Sequence, residues 1–138
     1  MSKRQQDISL TDLLVDVRAC RACEAELPLG ANPVLRASET ARLLIVGQAP
    51  GTRVHATSNP WNDPSGERLR TWLDIDRDQI YDASKIAIVP MGFCYPGRGK
   101  SGDLPPPPRC APLWHPVLLE RMPELALILL VCQYAQHY

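Results

Sequence analysis

The apolar residues of the chain fall into short runs that predict an alternation of strands and helices. Three runs predict buried strands, at residues 42–47 (RLLIVG), 85–91 (KIAIVPM) and 125–131 (LALILLV). Helical spacing of apolar residues predicts helices over residues 9–20, from residue 65 onward, and over residues 113–122. Because helices separate the strands, the pattern predicts an α/β fold with a parallel, doubly wound sheet.

Capping residues refine the helix boundaries. Ser9 is predicted to cap the first helix and the hydroxyl of Ser65 the second. The third helix is predicted to open at the Trp-His-Pro turn of residues 114–116. The apolar face of the second helix is predicted to comprise Leu69, Trp72 and Leu73.

The third predicted strand is followed by only seven residues. A central strand of a parallel sheet is normally covered on both faces, so an element that should pair with it or cover it is expected to be missing. The alternative is that this strand forms the edge of a small sheet.

Size and charge limit the functional classes. With 138 residues, 45% of them hydrophobic, residues 1–138 are predicted to form one domain. The formal net charge is zero, so contact with nucleic acid would depend on a local basic patch. No signal peptide or stretch of transmembrane length is recognised, and we expect a cytoplasmic, monomeric protein without membrane association.

Five cysteines in a reducing compartment favour metal binding, catalysis or burial over disulfides. Cys20 and Cys23 form a CxxC pair, and fifteen residues separate Cys94 from Cys110. Four thiolates suit a zinc ion or a four-iron cluster that ties the first helix to the core. Alternatively, Cys94 and Cys110 are ordinary buried cysteines, and Cys132 is assigned to the core.

The loop GQAPG, residues 47–51, follows the first strand, where ligand crevices of parallel sheets lie. It matches neither the dinucleotide fingerprint nor the Walker loop, and a plain turn is the alternative. Trp61, between Pro60 and Pro64, is either a stacking platform for a base or a core residue.

Taken in order, CxxC, GQAPG, the Pro-Trp step and the C-x15-C pair resemble the family 4, iron-sulfur uracil-DNA glycosylases. The resemblance implies a three-layer α/β/α sandwich with a parallel four-stranded sheet. It also implies a partner DNA that contains uracil or another damaged base, whose N-glycosidic bond is hydrolysed. The implied cofactor is a 4Fe-4S cluster on Cys20, Cys23, Cys94 and Cys110, with zinc as the alternative.

The resemblance also assigns the binding residues. Gly47, Gln48, Ala49, Pro50 and Gly51 are implied to form the motif beneath which the flipped uracil lies. Trp61 takes the place of the aromatic residue on which uracil stacks. Arg98, Lys100 and Arg109 are candidates for phosphate contacts, with a solvated loop face as the alternative.

Departures from the family pattern predict weak or no activity. Gln48 stands where the family has glutamate, and the acidic position that organises the attacking water falls on Val54, beside His55. Asp63 is the nearest carboxylate for a general base, so Gln48, His55 and Asp63 are the catalytic candidates.

Two further departures concern base recognition. Pro90 replaces the asparagine that reads the uracil edge, which puts uracil selectivity in doubt. The family's closing His-Pro-Ser segment, with the last strand and helix, is expected to be missing after Tyr138. Two rival functions follow: a non-catalytic iron-sulfur protein that binds nucleic acid, and a zinc-stabilised α/β protein without a DNA role.

Overall fold

The first helix follows its predicted pattern closely. The computed structural model describes residues 8–100 and 102–137. Helix α1 spans Leu10–Arg18, and the Ser9 hydroxyl accepts a hydrogen bond from the Asp12 amide at 3.2 Å, as predicted. Its buried side chains are Leu10, Leu13, Leu14 and Val17. This spacing places all four on one face, so the helix folds against the core through that face.

A parallel three-stranded sheet forms the centre of the described residues. The strands in chain order are β1 (Leu43–Val46), β2 (Ile86–Ile88), β3 (Arg98–Gly99), β4 (Gly102–Asp103) and β5 (Leu127–Leu130). The sheet has the order β2-β1-β5, and β1 is parallel to both neighbours. The short strands β3 and β4 form a separate antiparallel hairpin.

Helices cover the sheet on both faces. The remaining helices are α2 (Thr52–Thr57), α3 (Pro64–Leu73), α4 (Arg77–Ile80), α5 (Cys110–Glu120) and α6 (Gln133–Gln136), with a 3-10 turn at Glu24–Glu26. On one face, α1 and α5 pack with the β1 side chains Leu44 and Val46. On the other face, α3 and α4 pack with Ile45 of β1 and with Ile86 and Ile88 of β2. The fold is therefore a three-layer α/β/α arrangement, which confirms the predicted fold class.

Strand β5 lies at an edge of this sheet and carries exposed apolar side chains. Leu127, Ile128, Leu130 and Val131 are 56%, 45%, 43% and 39% exposed. Leu129 is partly buried against the α3 and α4 layer. The predicted strand is thus present, and it leaves apolar surface on both faces of the edge.

Three local predictions were wrong. The N-cap of α3 is Asp63 rather than Ser65, and Pro64 occupies the first turn, where its missing N–H costs nothing. Trp72 is 74% exposed rather than part of the buried face. Helix α5 begins at Cys110, so the Trp-His-Pro sequence lies inside it instead of opening it.

Cys132 is only partly a core residue. It packs against the larger cluster, but its thiol also caps α6 by accepting a hydrogen bond from the Ala135 amide at 3.4 Å. Across the described part of the chain, no helix has the length and apolarity needed to cross a membrane.

Candidate functional site

A crevice of about 440 Å³ lies at the carboxyl ends of the parallel strands. Its walls include all five residues of the glycine loop, Gly47–Gly51, which leaves the end of β1. Pro90 follows β2, and Val131 and Cys132 follow β5. The sheet topology thus delivers three chain segments to one ligand-sized cavity, at the position expected for α/β proteins.

Trp61 forms part of the crevice wall and contacts the glycine loop. A Cβ atom added to Gly47 would lie 2.9 Å from Cζ2 of Trp61. Only glycine at residue 47 therefore lets the indole ring approach this closely. The ring is neither a free platform nor a core residue: it is half-buried and packs partly against the α3 and α4 layer.

Two carboxylates line the crevice. Asp63 accepts a hydrogen bond from the Gly66 amide at 2.8 Å through Oδ1, which fixes its side chain at the start of α3. Asp103 reaches the crevice from the β3–β4 hairpin, where its Oδ2 lies 3.8 Å from an ideal Cβ at Gly51. Asp103 was not predicted from the sequence, because the hairpin that returns it to the glycine loop has no apolar pattern.

The other catalytic candidates are placed differently from one another. Gln48 lines the crevice, and its side-chain amide lies 3.5 Å from the Leu104 carbonyl oxygen. Val54 lines it with a buried side chain. His55 is not among the lining residues, and its ring centroid lies 6.3 Å from that of Tyr95. The catalytic role of His55 therefore stays a prediction. The present geometry does not bring its side chain to the crevice.

Pro90 is held at the crevice by a buried histidine. The Pro90 carbonyl oxygen lies 2.8 Å from Nε2 of His115. Because a carbonyl can only accept, Nε2 carries the proton. Burial lowers the pKa of His115, and the hydrogen bond to Pro90 opposes this shift. A neutral His115 on α5 therefore fixes the backbone after β2.

The four predicted metal ligands line a second, small cavity. Cys20, Cys23, Cys94 and Cys110 are all free thiols and share its walls with apolar side chains, including Leu27, Phe93 and Trp114. Trp114 donates from Nε1 to the Cys20 sulfur at 3.4 Å. The fold thus brings the amino-terminal pair to the later pair, whereas the predicted role of the four as metal ligands stays a prediction.

Burial keeps two of these thiols protonated. It raises the pKa of Cys110 to about 12, with a smaller opposing effect from the Phe93 backbone amide. It also raises the pKa of Cys94, against the backbone amide of Asn32. In residues 8–100 and 102–137, no three His, Cys, Asp or Glu side chains form a group that could hold a metal ion as they stand. Any metal would have to displace protons and move thiols.

The three predicted phosphate contacts are exposed but not equivalent. Arg98 and Lys100 lie on the β3–β4 hairpin that also carries Asp103. Arg109 forms an ion pair with Glu26, which raises the pKa of its guanidinium. Two of the three candidates therefore belong to one surface beside the crevice, whereas the charge of Arg109 is partly neutralised.

Comparison with known protein families gives one match that spans most of the chain. The model described as the uracil DNA glycosylase superfamily matches residues 36–138. The match includes the glycine loop, Trp61 and both carboxylates of the crevice, as well as Cys94 and Cys110. It begins after Cys20 and Cys23.

Proposed function

The chain belongs to the uracil-DNA glycosylase superfamily, and from this we propose that it binds an extruded base of DNA in the crevice and hydrolyses its N-glycosidic bond. The base is uracil or a related damaged base. The observation that carries the proposal is the joint placement of the glycine loop and Trp61 around one cavity of about 440 Å³.

Base excision requires that the nucleotide leave the helical stack. In the crevice, the indole of Trp61 provides an apolar face for the flipped base, a contact worth about 1–3 kcal/mol. Backbone amides of the glycine loop supply donors for the base carbonyls, because its glycines let a ligand approach the backbone closely.

The carboxylates of Asp63 and Asp103 supply negative charge next to the bound nucleotide. Glycosidic cleavage builds positive charge on the sugar, and a fixed carboxylate stabilises such charge or orients the attacking water. Asp63 is the better defined of the two, because its hydrogen bond to the Gly66 amide holds it in one place.

The departures from the family pattern support low catalytic power. Val54 puts an aliphatic side chain into the wall where the resemblance expects a carboxylate. Pro90 offers no side-chain donor for the base edge. No lysine, arginine or histidine of the described residues lines the crevice to stabilise the departing anion. We therefore propose slow excision with weak selectivity among bases.

Measurement of base release tests the proposal. Uracil-containing single- and double-stranded oligonucleotides are incubated with the protein, and free base is quantified by mass spectrometry. Asp63→Asn is expected to lower release by at least about tenfold, because general acid–base groups contribute about 10²–10⁴-fold. Asparagine still caps a helix well, so α3 is retained.

The matched control is Asp76→Asn. Asp76 caps α4 in the same way, accepting from the Gln79 amide at 2.8 Å, and lies outside the crevice. It is expected to release base at the wild-type rate. Equal rates in the two variants, or no release by the wild-type protein, would contradict the catalytic assignment.

We further propose that Cys20, Cys23, Cys94 and Cys110 hold a 4Fe-4S cluster. Four free thiols in one apolar cavity, with an indole N–H directed at a sulfur, match the ligand set of such clusters. A single zinc ion on the same four thiols is the alternative, and metal analysis distinguishes the two. When bound, the cluster supplies a covalent tie among these chain segments.

The cofactor is tested by iron and sulfide analysis with visible absorption of the anaerobically purified protein. About four irons per chain and a brown colour are expected. Cys94→Ser should lose both. Cys132→Ser is the matched control, because Cys132 lies outside the thiol cavity, and it should keep both. Stoichiometric zinc, or unchanged iron content in Cys94→Ser, would overturn the assignment.

A second candidate function is binding of DNA without catalysis. Arg98 and Lys100 lie on the exposed hairpin beside the crevice, while Val54 and Pro90 replace polar groups inside it. This function predicts salt-dependent binding of single-stranded DNA with no release of base. Lys100→Gln should reduce the slope of log K against log salt by about 0.7, the value for one phosphate contact on a single strand.

A further inference from the structure

The loop that carries Trp61 is held from outside at four consecutive residues. The contacts are Arg36 Nη2 to Asn59 Oδ1 at 3.1 Å, Tyr81 Oη to the Pro60 carbonyl at 2.8 Å, Arg70 Nη1 to the Trp61 carbonyl at 3.1 Å, and Arg77 Nη2 to Asn62 Oδ1 at 2.9 Å. Surface loops usually have fewer restraints. Here a side chain from another segment fixes each residue of the loop.

Arg70 differs from the other three anchors in its burial. Only 6% of the residue is exposed, and no salt bridge joins it to a carboxylate of the described residues. Burial of a guanidinium is costly unless its donors find partners. The Trp61 carbonyl is such a partner, and a hydrogen bond from a charged group is stronger than one between neutral groups.

The carbonyl that Arg70 holds belongs to a residue with an unfavourable backbone. Trp61 has φ 61°, in the left-handed region that bulky residues avoid. The same carbonyl lies against Gly66, where an added Cβ would be only 1.7 Å from the oxygen. Gly66 therefore makes room for the carbonyl, and Arg70 donates to it. Such strain persists only when the surroundings fix it.

We propose that Arg70 is a positioning residue for base binding: its hydrogen bond holds Trp61 in the left-handed conformation that sets the indole against Gly47. The stacking face is then in place before the base enters, which removes an ordering cost from binding. The proposal rests on the proposed function for the role of the base, whereas the placement of the ring by Arg70 is testable without it.

The test uses protein labelled with 5-fluorotryptophan and ¹⁹F NMR, which reads Trp61, Trp72 and Trp114 separately. Trp61→Phe assigns the first resonance. Arg70→Met removes the donor and keeps an unbranched apolar stem. In this variant the Trp61 resonance is expected to shift or split, while those of Trp72 and Trp114 stay in place.

The matched control is Arg68→Met, which makes the same change at an exposed residue of the same helix. It is expected to leave the Trp61 and Trp114 resonances unchanged, whereas Trp72 lies one helical turn from residue 68 and serves only for assignment. Affinity for a uracil-containing single-stranded oligonucleotide should fall about tenfold in Arg70→Met relative to Arg68→Met, the factor that corresponds to about 1.4 kcal/mol for one lost hydrogen bond.

The outcomes of these measurements distinguish the positioning role of Arg70 from the proposed function. If Arg70→Met does not fold, Arg70→Leu replaces it, because leucine favours the helix and also has no hydrogen-bond donor. A moved Trp61 resonance without oligonucleotide binding by any variant supports the positioning role and rejects the proposed function. A Trp61 resonance equal to that of Arg68→Met, or a joint shift of all three tryptophans, overturns the proposal.

Discussion

Gly47→Ala tests the contact between the glycine loop and Trp61 directly. The new methyl group would lie 2.9 Å from Cζ2 of the indole, about half an ångström inside the 3.4 Å at which ordinary contact begins. The carbonyl of the same residue is fixed against Gly66, so the backbone of Trp61 cannot easily withdraw. The substitution must therefore rotate the indole out of its present position or displace the strand end that carries Gly47.

The expected cost follows from overpacking. Insertion of one methyl group into a close contact costs about 1–3 kcal/mol. Gly51→Ala is the packing control in the same loop, since its Cβ would meet only Asp103 Oδ2, at an ordinary 3.8 Å. Neither glycine has a positive φ, so both variants gain the same small benefit from a less flexible unfolded chain. Gly51 is also the N-cap of α2, where alanine is less favourable than glycine, so the difference between the two variants gives a lower bound on the cost of the contact with Trp61.

Urea unfolding followed by far-UV circular dichroism measures this difference. Gly51→Ala is expected to lose at most about 1 kcal/mol through the weaker N-cap, and Gly47→Ala to be destabilised by about 1–3 kcal/mol. Acrylamide quenching in a Trp72→Phe background should rise in Gly47→Ala only. Equal free energies of unfolding and equal quenching in the two alanine variants would refute the packing of Trp61 on the loop.

Two further predictions concern stability and solubility. Burial lowers the pKa of His115 in the folded state, so the unfolded state binds the proton more readily. The free energy of unfolding should therefore fall as the pH drops below about 6.5, by up to about 1.4 kcal/mol per pH unit. His115→Gln should weaken this fall in urea unfolding between pH 7 and 5, and an unchanged pH dependence would contradict it. Leu127→Lys should raise the solubility limit in light scattering with little loss of stability, because Leu127 is 56% exposed on an edge strand. An unchanged solubility limit would argue against a contribution of this edge to self-association.

Local patterns determined the parts of the fold that were predicted correctly. The Leu10, Leu13, Leu14 and Val17 spacing specifies one face of α1 without reference to the rest of the chain. In β1, adjacent residues such as Leu44 and Ile45 pack into different layers, and the continuous apolar run already indicated a strand covered on both faces.

The errors arose where two residues competed for one role. Asp63 and Ser65 are both good N-caps, and Pro64 at the first helical position is the signal that favours Asp63. Asp103 could not be found from periodicity, because its place in the crevice depends on the return of the β3–β4 hairpin to the glycine loop. The pairing of Arg109 with Glu26 depends likewise on tertiary structure that brings distant segments together.

The chain segment after β2 contributes to both the thiol cavity and the crevice, so a restraint at one of them would act on the other. After β2, the Met91 amide donates to the Gly47 carbonyl at 2.8 Å and the Gly92 amide to the Gln48 carbonyl at 2.9 Å. Two residues later, Cys94 lines the thiol cavity. A bond from Cys94 to a cluster would therefore restrain the backbone that holds the glycine loop. Such a restraint would require no electron transfer, because it would depend only on the bond to Cys94.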